Sequence, residues 1–228
     1  MSKQNLILLH GALGASSQFD RFIPELEKRF RVYRFDFEGH GSAPLPNKTF
    51  RMEYFAENLT GFITDHHLQH SVVFGYSMGG YAALYSELLN PGFISKIITL
   101  GTKFDWSPET AAKEILRLDP VKIAEKLPDF AEELKQRHTS IGWENVLKFT
   151  ANMMTQLGFS PLLTEENLTT ISTEIVIFRG ESDTMVSEAE SRKTAETVQN
   201  GQFISIPNLK HPLESLSIEV LCGKILGN

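Results

Sequence analysis

A serine framed by glycines occurs in Gly75-Tyr76-Ser77-Met78-Gly79-Gly80. It follows the apolar run Val72–Phe74 and opens a helix-forming stretch that continues to Leu89. This is the setting of a G-x-S-x-G elbow, a sharp strand-to-helix turn that holds the hydroxyl exposed above a sheet. The glycines have a steric reason, since a Cβ at Gly75 or Gly79 would strike neighbouring backbone in so tight a turn. A helix starting just beyond Ser77 also points free N–H groups and a positive dipole end at any anion formed there. Ser77 is the candidate nucleophile, and Tyr76 beside it is a candidate either for lining a pocket or for packing.

A serine hydroxyl is a weak nucleophile near neutral pH and needs a neighbouring base, most often histidine. Seven histidines are available. His10 ends the first apolar run, His40 sits in Gly39-His40-Gly41, and His66, His67 and His70 surround the end of a helical stretch. His138 lies in a long helical insertion, and only His211 follows the last apolar run, in Asn208-Leu209-Lys210-His211-Pro212. Where a serine is carried on such an elbow, the acid and then the histidine come later in the chain, so His211 is the candidate general base. Asp183, in Arg179-Gly180-Glu181-Ser182-Asp183, follows Ile175–Phe178 and is the only aspartate after Asp129; Glu181 is the alternative acid. Its carboxylate would accept the imidazole N–H, fix the tautomer and stabilise the imidazolium.

Acyl transfer places negative charge on the former carbonyl oxygen, and losing one preorganised donor to it typically costs about 10²–10³ in rate. The N–H of Met78 is one expected donor. The second should come from His10-Gly11-Ala12-Leu13-Gly14, with Ala12 the first choice and Leu13 either its alternative or a substrate contact. His10 reads as an anchor of that loop.

The apolar pattern supplies a scaffold for these groups. Six short runs, Leu6–Leu9, Val32–Phe35, Ser71–Phe74, Ile97–Leu100, Ile175–Phe178 and Phe203–Ile206, alternate with helix-length stretches. Such alternation predicts an α/β fold, a mostly parallel sheet of about six strands with helices on both faces. Helices are expected over Phe19–Lys28, Met52–His66, Met78–Leu89 and Ser187–Val198. The rhythm breaks between Leu100 and Ile175, where helical patterns occur near Pro108–Leu118, Pro120–Arg137 and Trp143–Leu157. This divides the chain into a core of residues 1–103 and 170–228 and a helical insertion of residues 104–169. The insertion carries Phe104, Trp106, Phe130, Trp143, Phe149, Met153, Met154 and Phe159, among which Trp106, Trp143 and Met153 are the candidate substrate-binding side chains.

A chain of 228 residues is long enough for one sizeable core. Its 41% hydrophobic and 22% charged residues are ordinary for a globular protein, and a net charge of -6 leaves no broad basic surface for nucleic acid. The lone Cys222 cannot form an internal disulfide and reads as a buried, inert thiol. Only four apolar residues, Leu6–Leu9, precede His10, fewer than the roughly 7–15 of a secretory signal, and no run approaches the ~20 of a membrane span. The expectation is a cytoplasmic protein with a small-molecule partner, no membrane, no cofactor and no metal.

Taken in order, His10–Gly14, Asp36-Phe37-Glu38-Gly39-His40-Gly41-Ser42, Gly75–Gly80, Gly180–Asp183 and the late His211 resemble the α/β-hydrolase superfamily over nearly the whole chain. The resemblance implies a helical cap inserted after the sixth strand of the family and a loop, Asp36–Ser42, that borders the site without joining the triad. The family usually opens with two additional strands. Here the first catalytic-loop strand begins at about residue 5, so a shortened sheet without an antiparallel second strand is expected. A serine nucleophile excludes the aspartate-dependent epoxide hydrolases and haloalkane dehalogenases. The menaquinone-pathway synthase of this fold carries an arginine after the double glycine, where this chain has Tyr81. The expected activity is carboxylic ester hydrolysis of a small to medium acyl substrate through an acyl-serine, with perhydrolysis as a side reaction. A carbon–carbon bond hydrolase, a synthase-like enzyme and a non-catalytic binding module are the alternatives.

Overall fold

The computed structural model describes residues 3–226. Its apolar runs become six strands, β1 (Gln4–Leu9), β2 (Phe30–Arg34), β3 (Ser71–Tyr76), β4 (Ile94–Leu100), β5 (Glu174–Gly180) and β6 (Asn200–Ile206). They form one sheet in the order β2-β1-β3-β4-β5-β6, and every neighbouring pair is parallel. The shortened sheet is as expected. A parallel sheet must be covered on both faces, and the strand residues alternate accordingly. Ile7, Leu9 and Val73 pack into one core layer, whereas Leu6, Leu8, Val72 and Phe74 pack into the other.

The helices follow in chain order: α1 (Ile23–Leu26), α2 (Met52–Asp65), α3 (Met78–Leu89), α4 (Pro108–Ile115), α5 (Pro120–Lys126), α6 (Pro128–Arg137), α7 (Trp143–Phe159), α8 (Glu165–Leu168), α9 (Glu188–Thr197) and α10 (Ile218–Leu226). In α2 the buried Met52, Phe55, Ala56, Leu59 and Ile63 keep the three- and four-residue spacing of one helical face. At α9, Ser187 accepts the Glu190 N–H at 3.1 Å, a side-chain cap that fixes the start. Five helices, α4 to α8, lie between β4 and β5.

Two predicted helices are interrupted at prolines. The stretch Phe19–Lys28 is a 3₁₀ helix over Ser16–Phe22 followed by α1, because Pro24 has no N–H to continue a ladder. Likewise Pro120–Arg137 is split into α5 and α6. Leu127 before Pro128 takes φ −137° and ψ 58°, out of the helical region that a following proline disfavours. The C-terminal α10, which carries no conspicuous motif, packs beside α1 and the 3₁₀ segment. Cys222 is buried there, and burial pushes its thiol up to about 11, away from nucleophilic chemistry. Among the described residues no helix is long and apolar enough to cross a membrane.

Candidate active site

Ligands of open parallel sheets gather at the carboxyl ends of the strands, and the candidate residues occupy those loops. Ala12 and Leu13 follow β1, Ser77 and Met78 follow β3, Asp183 follows β5 and His211 follows β6. Ser77 sits at the turn into α3 with φ 50° and ψ −115°, a region that costs a side-chain-bearing residue about 1–3 kcal/mol. Its shape is enforced by contact. A Cβ on Gly75 would come within 2.4 Å of the Gly80 nitrogen, so only glycine lets the strand and the helix start pass this closely.

Asp183 and His211 are brought together. The His211 imidazole donates from Nδ1 to Asp183 Oδ2 at 2.8 Å, leaving Nε2 as the acceptor of the neutral ring. The other oxygen of Asp183 accepts the N–H groups of Met185 at 2.7 Å and Val186 at 3.0 Å. Burial opposes ionisation of Asp183, but the His211 bond and these backbone donors overcome it and hold the carboxyl below its usual value. Glu181 stands apart, exposed, with its carboxylate on the Asn208 N–H.

Three further residues support this pair. Buried Arg179 donates to the carbonyls of Val186 and Asp183, both at 2.9 Å. The Tyr76 hydroxyl donates to the His211 carbonyl at 3.0 Å. Gly101, with φ +61°, lets the ring approach so closely that a Cβ would lie 3.3 Å from it. A glycine one residue beyond a strand end was the signal available for the last of these.

Ser77 and His211 line one narrow cavity with Ala12, Met78, Trp106 and Met153, and also with Met52, Tyr81, Lys103, Glu114, Met154, Met185 and Val186. Its volume of about 40 Å³ is room for about three waters. Trp106 also borders a broader surface cleft of about 460 Å³, which contains none of Ser77, Asp183 and His211 and has no part in the chemistry considered below. Met78 is the first residue of α3, so its N–H has no acceptor within the helix. The Gly14 N–H closes a turn onto the Gly11 carbonyl at 3.1 Å, and Ala12 at its tip donates no N–H hydrogen bond among the described residues.

Three expected pocket residues lie elsewhere. Tyr76 is buried in the core layer beneath the site and spends its hydroxyl on the His211 loop. Leu13 takes φ 60° and, half-buried, packs against the core without lining the cavity. Trp143 lines a separate cleft with Pro128 and Lys135. It begins α7, whereas the residues of that helix on the cavity, Met153 and Met154, come ten and eleven residues later, about 15 Å along the axis. The Asp36–Ser42 loop does not reach the cavity wall either. It stands one layer back, where Asp36 accepts the Ser16 N–H at 2.7 Å.

That back layer is a cluster of neutral histidines. Phe37 N–H donates to His10 Nε2 at 3.1 Å while Nδ1 donates to the Gly11 carbonyl at 2.8 Å, so His10 anchors its loop as expected. His138 Nδ1 accepts the Gly41 N–H at 3.1 Å and its Nε2 donates to the Leu13 carbonyl at 3.0 Å. Arg137 reaches the same carbonyl at 2.9 Å. Tyr81, in the place of the synthase arginine, accepts the N–H groups of Leu162 and Leu163 at 3.1 and 2.9 Å. It therefore fastens the helical segment to α3.

A parallel sheet with helices on both faces and a strained serine between strand and helix defines an α/β hydrolase. Residues 4–142 match the family model of the alpha/beta hydrolase fold, and the chain belongs to that family. It is similar to 2-(acetamidomethylene)succinate hydrolase of Mesorhizobium japonicum, 21% identical over 94% of this chain and 84% of that protein. It is also similar to a bifunctional esterase/perhydrolase of Acinetobacter calcoaceticus, 23% identical over 88% of this chain and 82% of that protein. Among solved structures, 2-hydroxy-6-oxo-6-phenylhexa-2,4-dienoate hydrolase from a Rhodococcus strain superposes with a TM-score of 0.78 at 18% identity, covering 99% of this chain and 90% of that one.

Proposed function

We propose that this protein is a serine carboxylic ester hydrolase for small acyl groups, with Ser77 as nucleophile, His211 as general base and Asp183 as the acid that orients it. The observation that carries the reading is the shared cavity: a strained serine and a histidine on one wall, with the far side of the imidazole held at 2.8 Å by a buried carboxylate. In this scheme Ser77 Oγ attacks the ester carbonyl carbon and His211 Nε2 takes its proton. The N–H groups of Ala12 and Met78 receive the oxyanion. The alcohol leaves with the proton from His211, and a water deprotonated by the same nitrogen releases the acid and restores the serine.

The helical segment between β4 and β5 acts as a cap in this reading, and supplies Trp106, Met153 and Met154 to the acyl pocket. The test is fluorophosphonate labelling and ester hydrolysis by intact protein against Ser77→Ala. Both should vanish in the variant while its circular dichroism is unchanged. Labelling that persists in Ser77→Ala removes the nucleophile, and a wild-type protein that never labels favours a binding module. If esters are inert but a vinylogous diketone is cleaved with Ser77 dependence, the enzyme is a carbon–carbon hydrolase.

A further inference from the structure

We propose that the cavity holds a second recognition point, in which Lys103 and Trp106 donate hydrogen bonds to an uncharged oxygen, an ether, hydroxyl or carbonyl, on the substrate's acyl chain. This rests on the acyl-pocket reading above and names the substrate class that fits it. Lys103 lies three residues beyond the end of β4 and lines the cavity that Ser77 also lines. Its side chain is only 15% exposed. The ammonium is 3.7 Å from Glu114 Oε1 and 3.9 Å from Glu190 Oε2, distances that give charge attraction without a hydrogen bond. The three ammonium N–H donors thus make no hydrogen bond among the described residues. The Trp106 Nε1 is buried and likewise has no partner among the described residues.

The charge balance selects the ligand. Glu190 is committed elsewhere, to the Phe104 N–H at 3.1 Å and the Ser187 N–H at 3.0 Å, and Glu114 holds Arg117 at 3.3 Å. Two carboxylates already neutralise Lys103 and Arg117, so an added carboxylate would meet Glu114 at close range. A neutral oxygen takes the idle donors without that repulsion. The pocket's remaining wall is largely methionine, which yields to irregular shapes.

The experiment compares three ethyl esters of similar size by proton release: pentanoate, 3-methoxypropanoate and monoethyl succinate, each corrected for its alkaline hydrolysis rate and blanked with Ser77→Ala. The methoxy ester should exceed pentanoate by about tenfold in kcat/KM, the strength of one hydrogen bond to a charged donor, and monoethyl succinate should be poorest. Lys103→Met and Trp106→Phe should each shrink the methoxy-to-pentanoate ratio of kcat/KM towards one. Calorimetric titration of the same acyl groups as primary amides reads the preference without turnover, so it stands even if the esters prove inert. Ser77-dependent hydrolysis with equal rates for methoxy and alkyl chains overturns the subsite and leaves the esterase reading intact. A preference for succinate overturns the charge argument. If Lys103→Met does not fold, Trp106→Phe and the wild-type ratios decide.

Discussion

Ser77, the proposed nucleophile, sits in a costly backbone conformation, and the proposed role and the cost can be separated by substitution. Ser77→Ala keeps the Cβ and the φ of 50°, so its stability should stay within about 0.5 kcal/mol of wild type. Ser77→Gly removes the strain of about 1–3 kcal/mol and adds a glycine entropy cost of about 0.5–1 kcal/mol. A net gain of about 1 kcal/mol should appear as a melting temperature about 2–4 °C higher. Calorimetry that finds the glycine variant less stable than the alanine variant would show that the turn is unstrained. Asp183→Asn tests the other half of the site. The amide presents an N–H or a weaker acceptor to His211, and kcat should fall about 10⁴-fold with KM little changed. A loss below tenfold would remove Asp183 from the mechanism. The glycine pattern, the late histidine and the single late aspartate made these positions legible in sequence. Arg179 was not, because a side chain that donates to carbonyls leaves no pattern of its own, and Gly101 offered only its place one residue beyond a strand end.

The strands and the elbow were readable because burial imposes a period on them, whereas which residues of the helical segment face Ser77 depends on how α4 to α7 pack. Trp143 and Met153 share one helix and the same apolar character, yet only Met153 reaches the cavity. The segment also grips the turn that carries Ala12, through two donors from Arg137 and His138 to the Leu13 carbonyl. His138→Ala should therefore lower kcat by about tenfold with KM within about twofold, short of the 10²–10³ for losing an oxyanion donor outright. His138→Gln should recover part of it, since an amide can still donate to Leu13. Equal kcat in all three proteins would mean that the turn holds itself. For the acyl pocket, kcat/KM should rise with chain length to an optimum at which the pocket is full and then fall. Below that length each methylene should raise kcat/KM about threefold to fourfold. Met153→Ala should move the optimum to longer chains, and a flat series unaffected by this change would show that α7 does not select them.

For the molecule as a whole, the buried histidines set an acid limit. Burial pulls His10 and His138 down to about 4 from 6.5 and holds His40 well below its ordinary value. The unfolded chain protonates them near 6.5 while the folded chain keeps them neutral, with Asp36 and Arg137 the nearest charges on His10 and His138. The unfolded state thus binds more protons between about pH 6.5 and 4. Stability falls through that window by up to about 1.4 kcal/mol per pH unit for each histidine. Urea midpoints should drop on acidification, and less steeply in His138→Gln; identical slopes would contradict the assignment. The position of the helical segment between β4 and β5 has a consequence for synthesis. The ribosome delivers β1 to β4 and the serine elbow first, and some seventy residues later, about 4–15 s at ordinary elongation rates, it delivers β5. In that interval Ile97, Ile98 and Leu100 border an open sheet edge, a template for wrong pairing, while the proposed nucleophile waits without its proposed base. The nascent chain is therefore chemically silent but adhesive, and chaperone supply during those seconds should govern how much enzyme a cell recovers.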